Sequence, residues 1–510
     1  MELSQEVFMS NAGSGRDPMR PLPGLLLSGA GQCAESAFAL TLALGEGRKP
    51  ALIALYECLY DTGYFPNPTV MEAPHLFPGA ILQIGLQLPL FHREGLLGIA
   101  EGRADAEISR MAARYASLPC HILLRIGYEF DGDAWNGYEP AAYRAAYRRI
   151  AHGLENAQNV ALVWDSYTTD TENVMDWYPG DDVVDWFGYN TMSPKFDCQR
   201  MAALAAAHGK PLLNGEASYA MDAGGWPFSR WARAFFDSMR ENDVQAYQYI
   251  NWRWQVYPRS ANWHSWEDGR ITGAPDRMAA YLSAMEGPGL VVRGTGYAQP
   301  FKLAVDCGRA LAEGVPPAPW RPEHDHVSAL PGYSLRVRGA KTVYGNGWMG
   351  GWTGGRMTIQ AMTPADFSGA LLLKPLAAEP VTLFLNGEKA VWQPGDGYLR
   401  LHHWQPGDGG VIVSGADGKE AGLDLVALLA YAGELPSVTG LAFRAGKLTW
   451  TGVEGAACYC VYACGSLIGY TAGTSFPLRF PATRAAVSAF DPHLGEGRPA
   501  QLLMEEFRHE

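Results

Sequence analysis

A regular alternation of short apolar runs with amphipathic segments, from about residue 49 to residue 285, is the feature that most constrains the fold of this chain. Seven of the runs have the length and composition of buried strands, and they cover residues 51–56, 80–87, 121–127, 160–164, 183–189, 211–214 and 244–250. Apolar residues recur at three- and four-residue spacing in four intervening segments, which predicts helices over 105–118, 141–153, 200–208 and 228–242. Strands that alternate with helices form parallel sheets. Seven of them predict an α/β chain with a (β/α)8 TIM barrel, whose missing strand we expect between Leu90 and Ile99.

Two glutamates close apolar runs of this kind. Glu129 ends the run Ile122-Leu-Leu-Arg-Ile-Gly-Tyr-Glu129, and Glu216 ends Pro211-Leu-Leu-Asn-Gly-Glu216. A (β/α)8 barrel carries its active site at the carboxyl ends of its strands. Glycoside hydrolysis with retention needs one protonated carboxyl group for the leaving oxygen and one carboxylate that attacks the sugar carbon. The two positions therefore favour glycoside hydrolysis.

The composition agrees with a carbohydrate partner and argues against nucleic acid. The formal net charge is −13, and we find no cluster of Lys and Arg of the kind that binds a phosphate backbone. Sixteen Trp and 24 Tyr supply aromatic surface on which sugar rings stack. The histidine pairs 324/326 and 402/403 have no third ligand at a recognisable spacing, so we predict no metal site.

The ends and the cysteines indicate little about location. The first residues carry no basic segment, and no run approaches the roughly 20 apolar residues of a membrane span. The chain as written is predicted to be cytoplasmic, or secreted or periplasmic if a leader has been removed. Eight cysteines do not form a dense disulfide framework, and no pattern indicates an oligomeric state.

A proline-rich segment, residues 313–322, resists both helix and sheet and predicts a linker. We therefore assign the barrel to residues 1–310 and the linker to 311–325. Alternating segments with an Asn-Gly turn at 386–387 predict a β-sandwich over 326–433. A second small all-β sandwich is assigned to 434–510. Trp348 and Trp352, in a glycine-rich segment, fit either an exposed aromatic platform or a sandwich core.

Several motifs of the barrel segment together resemble glycoside hydrolase family 26. They are Ile99-Ala-Glu-Gly-Arg-Ala-Asp-Ala-Glu107, Leu123-Leu-Arg-Ile-Gly-Tyr-Glu129, Gly132-Asp-Ala-Trp135, Asn159-Val-Ala-Leu-Val-Trp164 and Trp177-Tyr-Pro-Gly-Asp-Asp-Val-Val-Asp-Trp186. The resemblance covers roughly residues 50–285. It implies a (β/α)8 barrel with a retaining mechanism, in which Glu129 is the acid/base and Glu216 the nucleophile, and no cofactor. It also implies an endo-acting enzyme on a β-linked polysaccharide, with mannan first and β-xylan or β-glucan close behind.

Two departures from the family pattern bear on the substrate. The family usually has His immediately before its acid/base, whereas this chain has Tyr128. An Asp-Gly-Tyr pattern, whose Tyr touches the nucleophile, normally ends the sixth strand, and Gly188-Tyr-Asn-Thr-Met192 stands here instead. Either Tyr189 or Asn190 takes the place of that Tyr.

Further candidates for sugar binding lie near the predicted strand ends. Trp135 follows the acid/base and is expected to stack on a leaving-group sugar. Trp252 or Trp254 is expected to form the floor of the −1 subsite. Arg125 shares a strand face with Glu129 and is suited to an inner ion-pair network. Glu57 and Asp165 suit sugar hydroxyls or the caps of helices.

Two other functions stay open at this stage. A barrel that binds carbohydrate without turnover would keep the fold and lose the chemistry. A polysaccharide lyase would use Tyr128 or Tyr189 as the base.

The last segment of the chain, residues 448–468 followed by 474–476, resembles a fibronectin type III domain. The resemblance implies core positions for Trp450 on strand B of that domain and for Tyr459 on its strand C.

Overall fold

The computed structural model describes residues 19–45, 47–60, 68–167, 172–192, 198–220, 225–252, 254, 266, 268–287, 291–293, 300–306, 327–344, 350–375, 380–385, 388–393, 397–404, 411–415 and 421–504. The chain divides into two compact units. The first consists of Met1–Val70, Gly79–Gln255 and Asn262–Gly296, and the second of Met71–Pro78, Val256–Ala261 and Tyr297–Glu510.

The first unit contains a closed barrel of eight parallel strands in the order β2 to β9, closed by the pairing of β9 with β2. Its strands, with two short additional ones, are β1 (Leu25–Leu27), β2 (Gly29–Gly31), β3 (Leu52–Cys58), β4 (Ile81–Gln87), β5 (Ile122–Ile126), β6 (Val160–Ser166), β7 (Trp186–Thr191), β8 (Leu212–Ala217), β9 (Ala246–Ile250) and β10 (Val291–Arg293). The strands are buried along nearly their whole length, as expected for a parallel sheet covered on both faces.

The helices are α1 (Ala34–Leu44), α2 (Pro68–Leu76), α3 (Arg93–Ala100), α4 (Asp105–Ser117), α5 (Pro140–Gly153), α6 (Gln199–Ala207), α7 (Phe228–Glu241) and α8 (Pro275–Met285). Their boundaries follow local chemistry. At the start of α5, the Glu139 carboxylate accepts hydrogen bonds from the amides of Ala141 and Ala142, both at 3.0 Å, and Pro140 occupies the first helical turn.

The predicted barrel is confirmed, and one strand was misplaced. Residues 90–99 do not contain the missing strand, because the segment forms α3, with buried Leu96 and Ile99 on one side. The eighth strand is β2, whose sequence Gly-Ala-Gly carries almost no apolar signal. A side-chain Cβ at Gly29 would lie 2.4 Å from the carbonyl oxygen of Tyr247, so glycine permits the close approach of β2 to β9. A strand made of small residues contains no apolar run, so a search for apolar runs does not find it.

The second unit contains antiparallel sheets. Its strands are β11 (Phe301–Asp306), β12 (Val327–Ala329), β13 (Ser334–Arg338), β14 (Lys341–Tyr344), β15 (Gly350–Gly354), β16 (Met357–Met362), β17 (Gly369–Pro375), β18 (Val381–Leu385), β19 (Glu388–Trp392), β20 (Leu399–Trp404), β21 (Val411–Gly415), β22 (Ala421–Ala430), β23 (Thr439–Arg444), β24 (Lys447–Thr451), β25 (Cys458–Ala463), β26 (Ser466–Thr471), β27 (Ser475–Pro477), β28 (Arg484–Asp491), β29 (Gly495–Glu496) and β30 (Ala500–Leu503).

Two large apolar cores lie among the described strands of this unit. The first core is formed by residues between Leu303 and Leu428, and the second by residues between Leu435 and Val487 together with Ala489. In the second core the rings of Trp450 and Tyr459 are 5.3 Å apart in an edge-to-face arrangement. Every cysteine within the described ranges is a free thiol.

The predicted domain boundaries stay predictions. Strand β11 pairs with β22 in the second unit, upstream of the boundary predicted at residue 310. Several predicted features lie outside the described residues: the linker 311–325, Trp348, the histidine pair at 324/326 and the side chain of Trp352.

Within the part of the chain that the structure describes, no helix combines the length and apolar character needed to cross a bilayer.

Candidate active site

Glu129 is held at the carboxyl end of β5 by a strained turn. Its φ is +53°, a left-handed conformation that is uncommon for a residue with a side chain, and Gly127 before it has φ +57°. The Asn136 amide donates hydrogen bonds to the carbonyls of Tyr128 at 3.0 Å and Glu129 at 2.6 Å. These contacts hold a conformation that costs free energy, a feature that is common in functional sites.

Glu216 lies on β8 and its side chain is 8% exposed. It is opposite Asn190 in the parallel register, where the pairing of β7 with β8 shifts between Tyr189 and Asn190. A register shift of this kind changes the face to which the following side chains point. Asn190 and Glu216 therefore meet at the same end of the barrel.

Arg125 connects these groups inside the barrel. The side chain is fully buried, and its Nη1 and Nη2 each lie 3.0 Å from Oε1 of Glu216. Nε and Nη2 donate to Oδ2 of Asp165 at 2.9 and 2.6 Å. Although burial opposes ionisation, the charges of Asp165 and Glu216 raise the pKa of Arg125. The guanidinium is therefore a fixed positive charge between two carboxylates.

Two glycines make room for this ion pair. A Cβ at Gly188 on β7 would lie 2.4 Å from Oδ1 of Asp165. A Cβ at Gly215 on β8 would lie 2.8 Å from both Arg125 Nε and Asp165 Oδ1. The neighbouring strands thus omit side chains at the positions where Arg125 and Asp165 lie.

Asn190 joins the acid candidate to the same network. Its Nδ2 donates to Oε1 of Glu129 at 2.7 Å, and its Oδ1 accepts from Arg125 Nη2 at 3.3 Å. Loss of solvent and the charge of Glu216 raise the pKa of Glu129 well above its usual range, against the hydrogen bond from Asn190. A raised pKa keeps a carboxyl group protonated and able to act as an acid near neutral pH.

Tyr128 packs against Tyr56, a residue that the sequence patterns did not identify. The two rings are 5.3 Å apart edge to face, and the Arg125 guanidinium lies 5.1 Å from the centre of the Tyr128 ring. A Cβ at Gly85 would lie 2.7 Å from the ring of Tyr56, so glycine leaves space for the pair. Burial and hydrogen bonding with Glu216 are among the causes that raise the pKa of Tyr56. In the sequence, only the expectation that alternate side chains of β3 point into the barrel would have indicated Tyr56 as a site residue.

The aromatic candidates are distributed over the loops that follow the strands. Trp135 packs edge to face on Tyr167, with ring centres 4.4 Å apart, and the negative charge of Glu129 contributes to the raised pKa of Tyr167. Trp254 is 3% exposed and donates from Nε1 to Ser218 Oγ at 3.1 Å. Trp252 is partly buried after the end of β9.

Two predicted residues are not brought into this group. Glu57 points from β3 towards α4, where it forms an ion pair with Arg114 and accepts a hydrogen bond from Tyr115 at 3.1 Å. Tyr189 is buried, and Asn214 and Cys198 are among its hydrogen-bonding neighbours. Asp165 is inside the network but is fully buried on Arg125, which leaves it no exposed surface for a sugar hydroxyl.

The comparisons with known proteins point to the same segment. A model of Glycosyl hydrolase family 26 matches residues 103–209, which include Glu129 and Asn190. A β-1,3-xylanase from Alcaligenes sp is 28% identical over 268 residues, or 45% of this chain and 55% of that protein. The β-1,3-xylanase TXYA from Vibrio sp is 28% identical over 255 residues, or 42% of this chain and 53% of that protein. The chain spans about half the length of the curated relatives it matches.

Among solved structures, a Bacillus subtilis mannanase is 16% identical and covers 53% of this chain and 87% of its own, with a TM-score of 0.40. The match to the family model makes the chain similar to family 26 over residues 103–209, the part of the barrel that carries Glu129.

Proposed function

We propose that this protein is a retaining, endo-acting glycoside hydrolase of the family 26 type that cleaves a β-linked polysaccharide. The observation that carries the proposal is the pair Glu129 and Glu216, joined through Asn190 and Arg125. Burial and the negative charge of Glu216 raise the pKa of Glu129 and favour it as the acid, against the hydrogen bond from Asn190. The Arg125 guanidinium contacts Glu216 through two nitrogens and suits it to the role of the attacking carboxylate, so the pair supports the two roles that retention requires.

The reaction follows from these two states. Protonated Glu129 donates its proton to the glycosidic oxygen while a Glu216 oxygen bonds to the anomeric carbon, and the bond to the leaving sugar breaks. Glu129, now a carboxylate, takes a proton from water, whose oxygen attacks the anomeric carbon and releases Glu216. Arg125 stabilises Glu216 as an anion before attack and after release. No cofactor takes part.

The names of the relatives and the aromatic residues support a proposal for the substrate. Because both curated relatives carry the name β-1,3-xylanase, we place β-1,3-xylan first, ahead of β-mannan and mixed-linkage β-glucan. Trp135 is suited to a leaving-group sugar because it lies in the loop after Glu129. We assign the floor of the −1 subsite to Trp252, since Trp254 is almost fully buried and bound to Ser218.

Neither alternative gains support from a particular contact. A lyase needs a phenol that loses its proton, whereas loss of solvent and the charges of Glu216 and Glu129 raise the pKa of Tyr128. Tyr189 is buried, with Cys198 and Asn214 as its hydrogen-bonding neighbours. We retain the fibronectin type III assignment for residues 434–510 as a proposal, supported by the packing of Trp450 on Tyr459.

The test is release of reducing sugar from β-1,3-xylan, β-mannan and mixed-linkage glucan, with chromatography of the products and determination of the anomer first formed. Glu129→Gln and Glu216→Gln are measured beside the unchanged protein. We expect a series of oligosaccharides of retained configuration, and loss of activity in both variants. Binding of a glycan without release of sugar would instead identify a carbohydrate-binding barrel, and a product that absorbs in the ultraviolet would identify a lyase.

A further inference from the structure

We infer that Asp165 is a positioning residue that holds both reacting carboxyl groups in place through one buried side chain. The inference deepens the proposed hydrolase function and rests on it. Sequence patterns alone suggest that Asp165 contacts sugar hydroxyls or caps a helix. Its burial and contacts support a different role.

The first connection runs from Asp165 to the nucleophile. Oδ2 accepts two hydrogen bonds from one guanidinium, at 2.9 Å from Nε and 2.6 Å from Nη2 of Arg125. This fork fixes the plane of the guanidinium, so that Nη1 and Nη2 both reach Oε1 of Glu216 at 3.0 Å. Because Asp165 and Arg125 are fully buried, neither can adopt another rotamer without moving the barrel wall.

The second connection runs from Asp165 to the acid. The Asp165 carboxylate accepts from Arg125 Nη2, which also donates to Asn190 Oδ1 at 3.3 Å, and Asn190 Nδ2 donates to Glu129 Oε1 at 2.7 Å. The amide of Phe130 donates to the Asp165 backbone carbonyl at 3.4 Å, next to the residue whose φ is +53°. One strand end on β6 thereby supports the turn that presents Glu129, while its carboxylate orients the partner of Glu216.

The barrel is shaped around this carboxylate. Gly188 and Gly215, on the next two strands, leave the volume into which Oδ1 projects, at 2.4 and 2.8 Å from where each Cβ would stand. The two glycines therefore leave space for the Asp165 carboxylate where any other side chain would collide with it. Because a displacement of about 1 Å at reacting groups costs rate, a carboxylate held in this space is suited to positioning them.

The test is Asp165→Asn, which keeps the shape and removes the charge. We expect kcat to fall roughly 100-fold, in line with a displacement of about 1 Å at the reacting groups, with KM changed less than threefold. The basic limb of the pH profile is expected to move to lower pH, because the negative charge of Asp165 raises the pKa of Glu129. A loss of stability alone would lower the amount of active enzyme and leave that limb in place.

The matched control is Asp185→Asn, in which the same atoms change. Asp185 Oδ2 accepts a hydrogen bond from the amide of Leu162 at 2.8 Å, at the amino end of the strands. We expect its kcat and pH limbs to match the unchanged protein. Circular dichroism and thermal unfolding of both variants report the folded fraction, so that kcat is counted per folded molecule.

A titration that needs no turnover separates this inference from the function itself. Carboxyl ¹³C resonances, with Glu129 assigned by Glu129→Gln, are followed against pH in the full chain with and without Asp165→Asn. A shift of the Glu129 midpoint to lower pH supports the coupling even if no tested glycan is cleaved. An unmoved midpoint, or a folded Asp165→Asn variant with kcat within threefold of the unchanged enzyme, would overturn the inference.

Discussion

The molecule contains two buried polar networks built from nearly the same parts. The barrel network consists of Arg125, Asp165, Asn190, Glu129 and Glu216, and the second-unit network of Glu72, His75, Arg400, Tyr462 and Glu496. Each has a buried arginine against a carboxylate, at 2.6 Å in the first and 2.7 Å in the second. Each arginine also lies against a tyrosine ring, with the guanidinium carbon 5.1 and 5.2 Å from the ring centre.

The two networks differ in where their hydrogen bonds end. In the second-unit network, Oε1 of Glu496 accepts from Tyr462 and Ser488, both at 2.6 Å, and both ring nitrogens of His75 contact tyrosine hydroxyls. Glu496 Oε1 and the ring of His75 are therefore hydrogen-bonded within the network.

In the barrel network, by contrast, Glu129 and Glu216 lie at the carboxyl ends of the strands. A buried arginine–carboxylate pair does not itself make an active site. The position of the barrel network at the strand ends is what supports our proposal of an active site.

His75, Cys460 and Glu496 of the second unit also bring three metal-type ligand atoms within 4.8 Å of one another. The charge of Arg400 beside them is one of the causes that lower the pKa of His75, after burial. A cation there would be repelled by the same guanidinium. The second-unit network is therefore best described as structural.

The largest expected contrast is between one glutamate from each network. Glu216→Ala removes the attacking carboxylate, and we expect activity to fall by at least about 10³-fold. Glu496→Ala removes a carboxylate of equal burial that takes no part in the reaction, and we expect the activity of the folded fraction to stay within about twofold. Rates on the cleaved polysaccharide, corrected for folded protein, make the comparison. Equal losses in the two variants would abolish the distinction between the networks.

The second contrast concerns stability. Arg400→Met leaves Glu72 buried without its cationic partner, and we expect the unfolding free energy at pH 8 to fall by about 3–5 kcal/mol. Glu72 already has its pKa raised to about 7, chiefly by burial, and loss of Arg400 raises it further. Its unfavourable ionisation disappears as the pH falls towards 4.5, so the cost of the substitution is expected to shrink in acid.

Denaturant unfolding at several pH values measures this effect. Lys374→Met is a matched control, because Lys374 pairs with Asp424 at 2.6 Å in the same unit and both side chains are partly exposed. Its effect is expected to be about 1 kcal/mol or less. A loss for Arg400→Met that does not vary with pH would contradict the role of Glu72.

A smaller effect is expected from filling the space beside Asp165. Gly188→Ala places a methyl group 2.4 Å from Oδ1 of Asp165, which displaces the carboxylate that orients Arg125. We expect kcat to fall roughly 10- to 100-fold with KM little changed. Gly433→Ala adds the same methyl group where no atom lies within 4 Å, and its kinetics are expected to match those of the unchanged protein. Similar kinetics for both variants would show that the clearance is not needed.

The smallest effect is a shift in pH dependence. Asn190 donates to Glu129 and lowers the pKa of that carboxyl, so Asn190→Ala is expected to move the basic limb of kcat/KM to higher pH. Asp165→Asn is expected to move the same limb in the opposite direction. Profiles of both variants between pH 4 and 9 test the signs. Shifts of the same sign would show that the two residues do not act separately on Glu129.

The sequence predicts the barrel strands well where their residues are apolar and poorly where their residues are small. The run before Glu129 and the run before Glu216 both became strands at the expected places. The Gly-Ala-Gly strand β2 was missed, because contact with neighbouring strands, and not apolar character, selected its residues. Helices with a clear period, such as α7 with buried Trp231 and Phe235, were predicted to within one residue of their ends.

The candidate site, too, was predicted from the sequence only in part. Chain order alone indicates that Glu129 and Glu216 lie at the same end of the barrel, because parallel strands bring their carboxyl ends to one face. Glu57 and Asp165 look alike in sequence, since each is an acid near a strand end. Side-chain direction separates them: Glu57 turns outward to Arg114, and Asp165 turns inward to Arg125. That direction depends on strand register and on the glycines opposite.

The sequence by itself determined the alternation of strands and helices and the two glutamates at strand ends, because periodicity and chain order are local properties. The tertiary structure decided which acid meets Arg125, that Tyr56 joins the site, and that Asn190, not Tyr189, contacts Glu129. These pairings join residues up to 91 positions apart. They arise when a closed barrel turns alternate side chains inward and a register shift reverses one of them, and no local pattern encodes that geometry.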